Sequence, residues 1–329
     1  MNWKKFVTNV ITNKFHNQCI LVIGDLMVDE YVTGKVNRIS PEAPVPVLDF
    51  YEKTLVAGGA CNVANNLKSL GAKVLVAGVA SNDSHGIWLR EYLDKTGIER
   101  ICVIEEHNRP TTVKTRFSVM GQQLLRVDNE INRCISSETQ EKIVDYISSV
   151  IERIDAVVIS DYTKGVFGDP EFIKKIISLC INHNIFVSVD SKSRDIYAFA
   201  GADFVKPNNL ELEAAVGIKI EDDESFNKAG ERYLSISCAK ALIVTRGAKG
   251  ISVFESDYKR RDFPAQKVQV YDVCGAGDTV ISTVTIGMCS GLSISDSIKL
   301  ANIAAGVVIN KIGTVAISLN ELIENIYDE

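Results

Sequence analysis

From Gln18 onward, short β-branched apolar runs alternate with segments of helical period: CILVIGD is followed by CNVANNLKSLG, and AKVLVAGVA by HGIWLREYLDKTG. This alternation predicts a parallel sheet with helices packed on both faces. It returns in the second half, where AVVISD (156–161), IFVSVD (185–190), DFVKP (203–207) and ALIVTRG (241–247) predict further strands. Those runs end in Asp, Asp, Pro and Gly, and ligands of doubly wound sheets bind beyond the carboxyl ends of the strands. Two stretches break the rhythm. Tyr31 to Tyr51, with three Pro, and Arg109 to Asp128 alternate polar with apolar positions and hold no helical period. They predict antiparallel strands outside the main sheet, a pattern that fits a lid over a site and an ordinary edge extension equally. The expected organisation is an N-terminal extension over 1–16, beginning as a short helix, and one α/β domain over 17–329. That domain is doubly wound, mainly parallel, with helices on both faces and a small discontinuous antiparallel β lid at about 31–57 and 107–130.

Composition narrows the function classes. With 46% hydrophobic and 24% charged residues over 329 positions, the chain is globular rather than disordered, and a chain of this length buries roughly three-quarters of its unfolded surface. The formal charge is −6, from 36 basic and 42 acidic residues, and no Lys/Arg block is long enough to capture nucleic acid or anionic lipid. A small phosphorylated ligand stays compatible with an acidic chain, because local amides and cations can cancel its charge at one spot. Eight Cys lie at 19, 61, 102, 134, 180, 238, 274 and 289 without a CxxC pair, which excludes metal ribbons and dithiol redox motifs. Most sit in apolar runs, as expected in a reducing cytoplasm. The longest uncharged run, Thr279 to Ser295, is too short and too rich in Ser, Thr and Gly to span a membrane. The first residues carry Lys4, Lys5 and Lys14 without a long apolar stretch, so neither an export signal nor a membrane partner is expected.

The sharpest chemical signal is Asp272-Val-Cys-Gly-Ala-Gly-Asp278-Thr279, followed by a helix of small residues. Gly275, Ala276 and Gly277 leave amides unencumbered at a helix N-terminus, where unpaired N–H groups and the macrodipole favour an anion. Asp278 in that first turn suits capping, but capping does not explain the crowding of small residues before it. Neither GxxxxGK[ST] nor GxGxxG occurs, so a P-loop enzyme is excluded and a nicotinamide oxidoreductase lacks its fingerprint. At Gly58-Gly59-Ala-Cys-Asn62 a glycine pair opens another helix, which fits a hydroxylated ligand or simply a tight connection. Asp29 follows the first strand, placed for sugar hydroxyls or for a turn. In Pro207-Asn208-Asn209-Leu210-Glu211, an Asn and a Glu three residues apart share a first helical turn, which fits a hydrated Mg²⁺ or a capping box. Thr245-Arg246-Gly247-Ala-Lys-Gly250 reads as a nucleotide-facing loop or a hairpin turn.

Taken in order, these five segments resemble the ribokinase-like, PfkB-type carbohydrate kinases over residues 18 to 325. Arg38-Ile-Ser-Pro-Glu-Ala-Pro-Val-Pro46, Gly58 to Ala64 and Gln122-Gln-Leu-Leu-Arg-Val-Asp128 are similar to the branch of that family acting on D-glycero-β-D-manno-heptose 7-phosphate. The resemblance implies transfer of the ATP γ-phosphoryl to O1 of that sugar, a step toward ADP-heptose and the lipopolysaccharide core. It implies that Asp278 accepts the O1 proton while Gly275, Ala276 and Gly277 form an anion hole. Ionised at a helix N-terminus, Asp278 is expected to be a weak base. Gly58, Gly59, Asp29 and Asn62 are implied to contact the sugar, and Asn208 and Glu211 to hold Mg²⁺ through water. Asn209, Leu210, Thr245, Gly247 and Gly250 would lie along the nucleotide, and a monovalent cation such as K⁺ near Asp272. A 7-phosphate dianion demands cations, for which Arg38, Lys114, Arg116, Arg126 and Lys192 are candidates, each also compatible with a solvated surface charge. Cys274 stands where the family usually carries Thr. Many members of this branch carry a nucleotidyltransferase with an HxGH element that the four His here do not match, so only the kinase step is expected. Lid edges predict a homodimer. Another sugar or sugar phosphate as acceptor, or a silent sugar-binding regulator, are the alternatives.

Overall fold

The computed structural model describes residues 2–255, 259–266, 268–311 and 313–326; Met1 and residues 327–329 of the expected extension and domain lie outside the described residues. The first half of the chain forms α1 (Trp3–Lys14), β1 (Cys19–Gly24), β2 (Leu26–Ile39), β3 (Pro46–Gly59), α2 (Ala60–Ser69), β4 (Lys73–Val79), α3 (Ser84–Thr96), β5 (Glu99–Ile104), β6 (Thr112–Val119) and β7 (Gln122–Asn129). The second half forms α4 (Ser137–Val150), β8 (Ala156–Asp161), α5 (Pro170–Asn182), β9 (Phe186–Ser191), β10 (Phe204–Val205), α6 (Asn209–Val216), α7 (Asp223–Ser237), β11 (Ala241–Thr245), β12 (Ile251–Glu255), β13 (Arg260–Phe263), α8 (Ala276–Cys289), α9 (Ile294–Val308) and α10 (Leu319–Glu324).

β1 is buried along its whole length, as a strand without polar positions must be at the centre of a parallel sheet. Its side chains alternate between two cores. Ile20 and Val22 join Val74, Val76 and Val158 beneath α1, α2, α8 and α9, whereas Leu21 and Ile23 join Leu75, Val157 and Ile159 beneath α4, α5 and α7. The sheet runs β13-β12-β11-β10-β9-β8-β1-β4-β5, parallel from β5 to β11, with β12 and β13 antiparallel at one edge. The strand expected over 203–207 is confined to Phe204 and Val205, because Pro207 has no N–H to continue a ladder. The parallel arrangement brings Asp25, Asp161, Ser191, Lys206 and Thr245 to the same edge. There Asp25 accepts the amide hydrogens of Tyr162 at 2.8 Å, Lys164 at 2.9 Å and Val166 at 3.2 Å, and so shapes the loop after β8.

The second sheet, β3-β2-β6-β7, rises from that edge. Its outer pairs are antiparallel as expected, while its central pair, β2 with β6, is parallel, because the chain traverses α2, β4, α3 and β5 between them. β2 begins at Leu26, earlier than the polar/apolar alternation indicates, since Leu26 to Glu30 are buried at the junction with the main sheet. Among the described residues no helix is long and apolar enough to cross a membrane.

Candidate active site

Gly275 adopts φ +78°, a left-handed conformation that glycine accepts readily, and so caps α8 and starts its first turn. Asp278 lies on that turn, buried, with both carboxylate oxygens engaged: the Tyr162 hydroxyl donates to Oδ1 at 2.7 Å and Asn62 Nδ2 to Oδ2 at 2.6 Å. Burial first, and then the Asp190 carboxylate, push Asp278 up to about 6, against the hydrogen bonds from Tyr162 and Asn62 and the charge of Lys206. This corrects the weak base expected from the sequence. Desolvation at the foot of the sheet outweighs the helix N-terminus, and the carboxylate is poised near neutrality. The amides of Gly275, Gly277 and Asp278 have no acceptor within the helix. That of Ala276, expected to join them, instead donates to the Val273 carbonyl at 3.3 Å.

Three cavities meet at this turn. A cavity of about 1010 Å³ is mainly apolar, walled by Thr245, Gly247, Gly250, Pro264, Val280, Ala305 and Ile309 together with Ala276 and Gly277. A second, of about 480 Å³, lies under the lid between Asp29, Gly58, Gly59, Asn62, Lys114, Arg116, Arg126, Lys164, Lys192 and Asp278. Between them a polar cavity of about 230 Å³ is lined by Asp161, Asp190, Lys192, Lys206, Asn208, Glu211, Gly275 and Gly277. The Gly275–Asp278 turn is thus a wall shared by all three.

Charge under the lid is paired almost throughout. Arg116 meets Asp29 at 2.5 Å, Arg126 meets Asp128 at 2.9 Å, and Lys114 reaches both Asp128 and Glu130 at 3.0 Å. Lys164 also meets Glu130, at 2.6 Å. Lys192 instead lies over the Tyr162 ring, 4.1 Å from its centroid. A Cβ at Gly58 would stand 2.3 Å from Asp29 Oδ2, so glycine there admits the carboxylate. In the polar cavity Lys206 pairs with Asp190 at 2.9 Å; although burial opposes it, Asp190, Glu211 and Asp278 hold the Lys206 ammonium above its ordinary range. Burial and Asp190 raise the Glu211 carboxyl.

A protein-family model described as pfkB family carbohydrate kinase matches residues 17–321. The chain belongs to the pfkB family of carbohydrate kinases. It is closely related to the kinase part of bifunctional HldE proteins. It is 41% identical to the bifunctional protein HldE of Geobacter sulfurreducens over 303 residues, 92% of this chain and 62% of that protein. To HldE of Helicobacter hepaticus it is 39% identical over 310 residues, 94% and 64% of the two chains. The chain therefore spans less than two thirds of these relatives' length. The fold is ribokinase-like. Arabidopsis thaliana ribokinase complexed with ribose and ATP superposes with a TM-score of 0.75 at 19% identity, covering 94% of this chain and 98% of that one. Phosphofructokinase-2 from Escherichia coli in complex with potassium superposes with a TM-score of 0.77 at 19% identity, covering 93% and 97%.

The structure of this pfkB kinase gathers most, though not all, of the residues singled out in the sequence. Asp278, Gly275, Asp29, Gly58, Gly59, Asn62, Lys114, Arg116, Arg126 and Lys192 surround one chamber, whereas Gly277 faces the polar and apolar cavities and Ala276 the apolar one. Thr245, Gly247 and Gly250 face the apolar cavity although they also form the hairpin turn between β11 and β12. Arg38 does not reach the site: it is exposed near the far end of β2, opposite Val47. Asn209 and Leu210 line none of the three cavities, since the first turn of α6 aims them away, and Leu210 is exposed. Asn208 and Glu211 do form a capping box, each side chain bonded to the other's amide, and both also face the polar cavity. Asn62 gives its amide to Asp278 rather than holding it free for a sugar. Asp272 ties its loop together through the amides of Cys274 at 2.9 Å and Gly313 at 3.1 Å. Sequence reading missed Tyr162, Lys164, Asp190 and Lys206. Their signal was present, because all four follow or end the strands whose carboxyl edges were expected to carry the site.

Proposed function

We propose that this kinase transfers the γ-phosphoryl of ATP to the anomeric O1 of D-glycero-β-D-manno-heptose 7-phosphate, giving the 1,7-bisphosphate and ADP. The observation that carries it is the Gly275–Asp278 turn standing between an apolar cavity sized for a nucleotide and a cation-rich chamber under the lid. The adenosine would occupy the apolar cavity and the polyphosphate would run along Gly277 toward the polar one. The sugar would lie beneath the lid with O1 facing Asp278. As the O1–phosphorus bond forms, the proton of O1 passes to the Asp278 carboxylate, and the bond from phosphorus to the bridging oxygen breaks with its electron pair leaving on ADP. The amides of Gly275 and Gly277, with Lys206 beside them, meet the charge of the transferring group; one such donor is typically worth about 3 to 4 kcal/mol. Arg116, Lys114, Arg126 and Lys164 would meet the 7-phosphate by exchanging their carboxylate partners for it.

The donor set of the polar cavity fits Mg²⁺. Glu211 and Asp190 supply carboxylate oxygens, and a magnesium ion is commonly held by one or two carboxylates plus phosphate oxygens; bound there it would neutralise polyphosphate charge. A monovalent cation near Asp272 belongs to the same reading and is tested by exchanging potassium for sodium in the assay. The deciding experiment measures ADP release with Mg·ATP over a panel of heptose 7-phosphate, fructose 6-phosphate and ribose. Heptose 7-phosphate is expected to have the highest kcat/KM, and Asp278→Asn to abolish turnover while sugar binding persists. A variant with near-normal turnover overturns the base assignment, and preference for another acceptor overturns the substrate.

A further inference from the structure

We propose that Tyr162 is a positioning residue that holds the base and a phosphate-facing cation in register, its hydroxyl orienting the Asp278 carboxylate and its ring supporting the Lys192 ammonium. The inference rests on Asp278 being the base, as argued above, and extends it to a residue that touches neither substrate's reacting atom.

The loop carrying Tyr162 is fixed before its side chain is considered. The Tyr162 amide donates to Asp25 Oδ2 at 2.8 Å, and the next amide, of Thr163, donates to Asp161 Oδ1 at 2.7 Å. Thr163 itself holds φ +56°, a left-handed conformation costly for a β-branched residue, which persists only where its surroundings impose it. From this anchored backbone the Tyr162 side chain reaches between the polar cavity and the chamber under the lid and lines both. Its hydroxyl holds Asp278 Oδ1 at 2.7 Å while Asn62 holds Oδ2 at 2.6 Å. Two donors on the two oxygens fix the plane of the carboxylate, and the lone pairs left over accept the incoming proton. The face of the same ring carries Lys192 Nζ at 4.1 Å, and Lys192 too lines both cavities. A hydroxyl on the base and a π-face under the cation make one side chain set the distance between them.

The electrostatics agree with this geometry. A hydrogen bond donated to an ionised carboxylate lowers its pKa, and Tyr162 acts so on Asp278. Asp190 and the burial of the site push the other way, and Lys206 pushes with Tyr162; the other charged groups facing these cavities are Asp161, Lys192 and Glu211 on the polar side and Asp29, Lys114, Arg116, Arg126, Asp128, Glu130 and Lys164 under the lid. All of them stay in place when only the phenolic oxygen is removed.

Three variants separate the roles, each assayed with Mg·ATP and the best acceptor of the panel. Tyr162→Phe keeps the ring and loses the hydroxyl: kcat at pH 7 is expected to fall about tenfold, KM for both substrates to stay within about twofold, and the acidic limb of the kcat profile to move up by about one pH unit. Lys192 lines the polar cavity toward which the polyphosphate runs, so Tyr162→Leu, which also removes its support, is expected to raise KM for Mg·ATP a further threefold to tenfold, roughly. Asp278→Asn is the control on the base itself. If it abolishes turnover while Tyr162→Phe leaves both kcat and the acidic limb unchanged, the role of Tyr162 is overturned and the proposed function stands. If Asp278→Asn stays active, the base assignment falls and the role of Tyr162 falls with it. A thermal melt of Tyr162→Phe close to the parent's, together with the moved limb, excludes a merely structural role.

Discussion

The Asp278 carboxylate illustrates how one buried charge carries opposite consequences for stability and chemistry. Its ordinary value of 3.8 is raised to about 6 in the folded chain. A carboxyl raised on folding destabilises the native state wherever it is ionised: the cost is complete above about pH 6 and disappears as pH falls toward 4. With each unit worth about 1.4 kcal/mol, that cost is about 3 kcal/mol at pH 8. Asparagine removes the charge, but with its carbonyl turned to Asn62 Nδ2 its NH2 faces the Tyr162 hydroxyl, which loses its charged acceptor at a cost of about 1 kcal/mol or more. Asp278→Asn is therefore expected to raise unfolding free energy by about 1 to 2 kcal/mol at pH 8, a gain that shrinks on acidification through pH 6. Chemical denaturation at pH 8 and pH 5 checks this, and a destabilised variant at pH 8 overturns it. At this scale the sequence was legible where small residues crowd, as at Gly275 to Gly277 and Gly58 to Gly59. It was illegible where function depends on what a side chain touches: Tyr162 is one of ten tyrosines until the fold sets its hydroxyl on Asp278. The basicity of Asp278 was misread for the same reason, because depth of burial is not written in neighbouring residues.

Among the elements, α6 settles a question the sequence left open. Asn208 and Glu211 form a capping box, and the same Glu211 faces the polar cavity. The two readings coexist because a capping carboxylate uses one oxygen on the amide of Asn208, at 2.8 Å, and leaves the other for a ligand. Glutamine supports the same box without the charge. Glu211→Gln is thus expected to melt within a few degrees of the parent while the Mg²⁺ concentration for half-maximal turnover rises roughly tenfold; Glu211→Ala is expected to lose about 1 kcal/mol of stability as well. A magnesium titration unchanged in Glu211→Gln would confine the residue to its cap. The strands of the main sheet were readable because apolar runs need no context to be buried. The parallel β2–β6 pair was not, since alternation along each strand fixes which face is wet and says nothing about the neighbour's direction.

Across the whole molecule, the lid presents two unlike faces. Asp29, Lys114 and Asp128 stand opposite one another on the chamber side, whereas Leu125 and Val127, on the alternate positions of β7, are exposed on the outer side together with Phe50 of β3. We propose that two copies of the chain pair through these outer faces. Light scattering is expected to give twice the chain mass for the parent and a monomer for Leu125→Glu, and a monomeric parent removes the idea. The Asp29–Arg116 pair joins residues 87 positions apart, across a strand pair that cannot close until α2, β4, α3 and β5 have been laid down. A chamber assembled from such distant stretches of chain cannot be an early product of folding. During refolding, fluorescence or exchange signals from the sheet should recover before any capacity to bind the acceptor, leaving a well-formed α/β body that for a time cannot recognise its sugar.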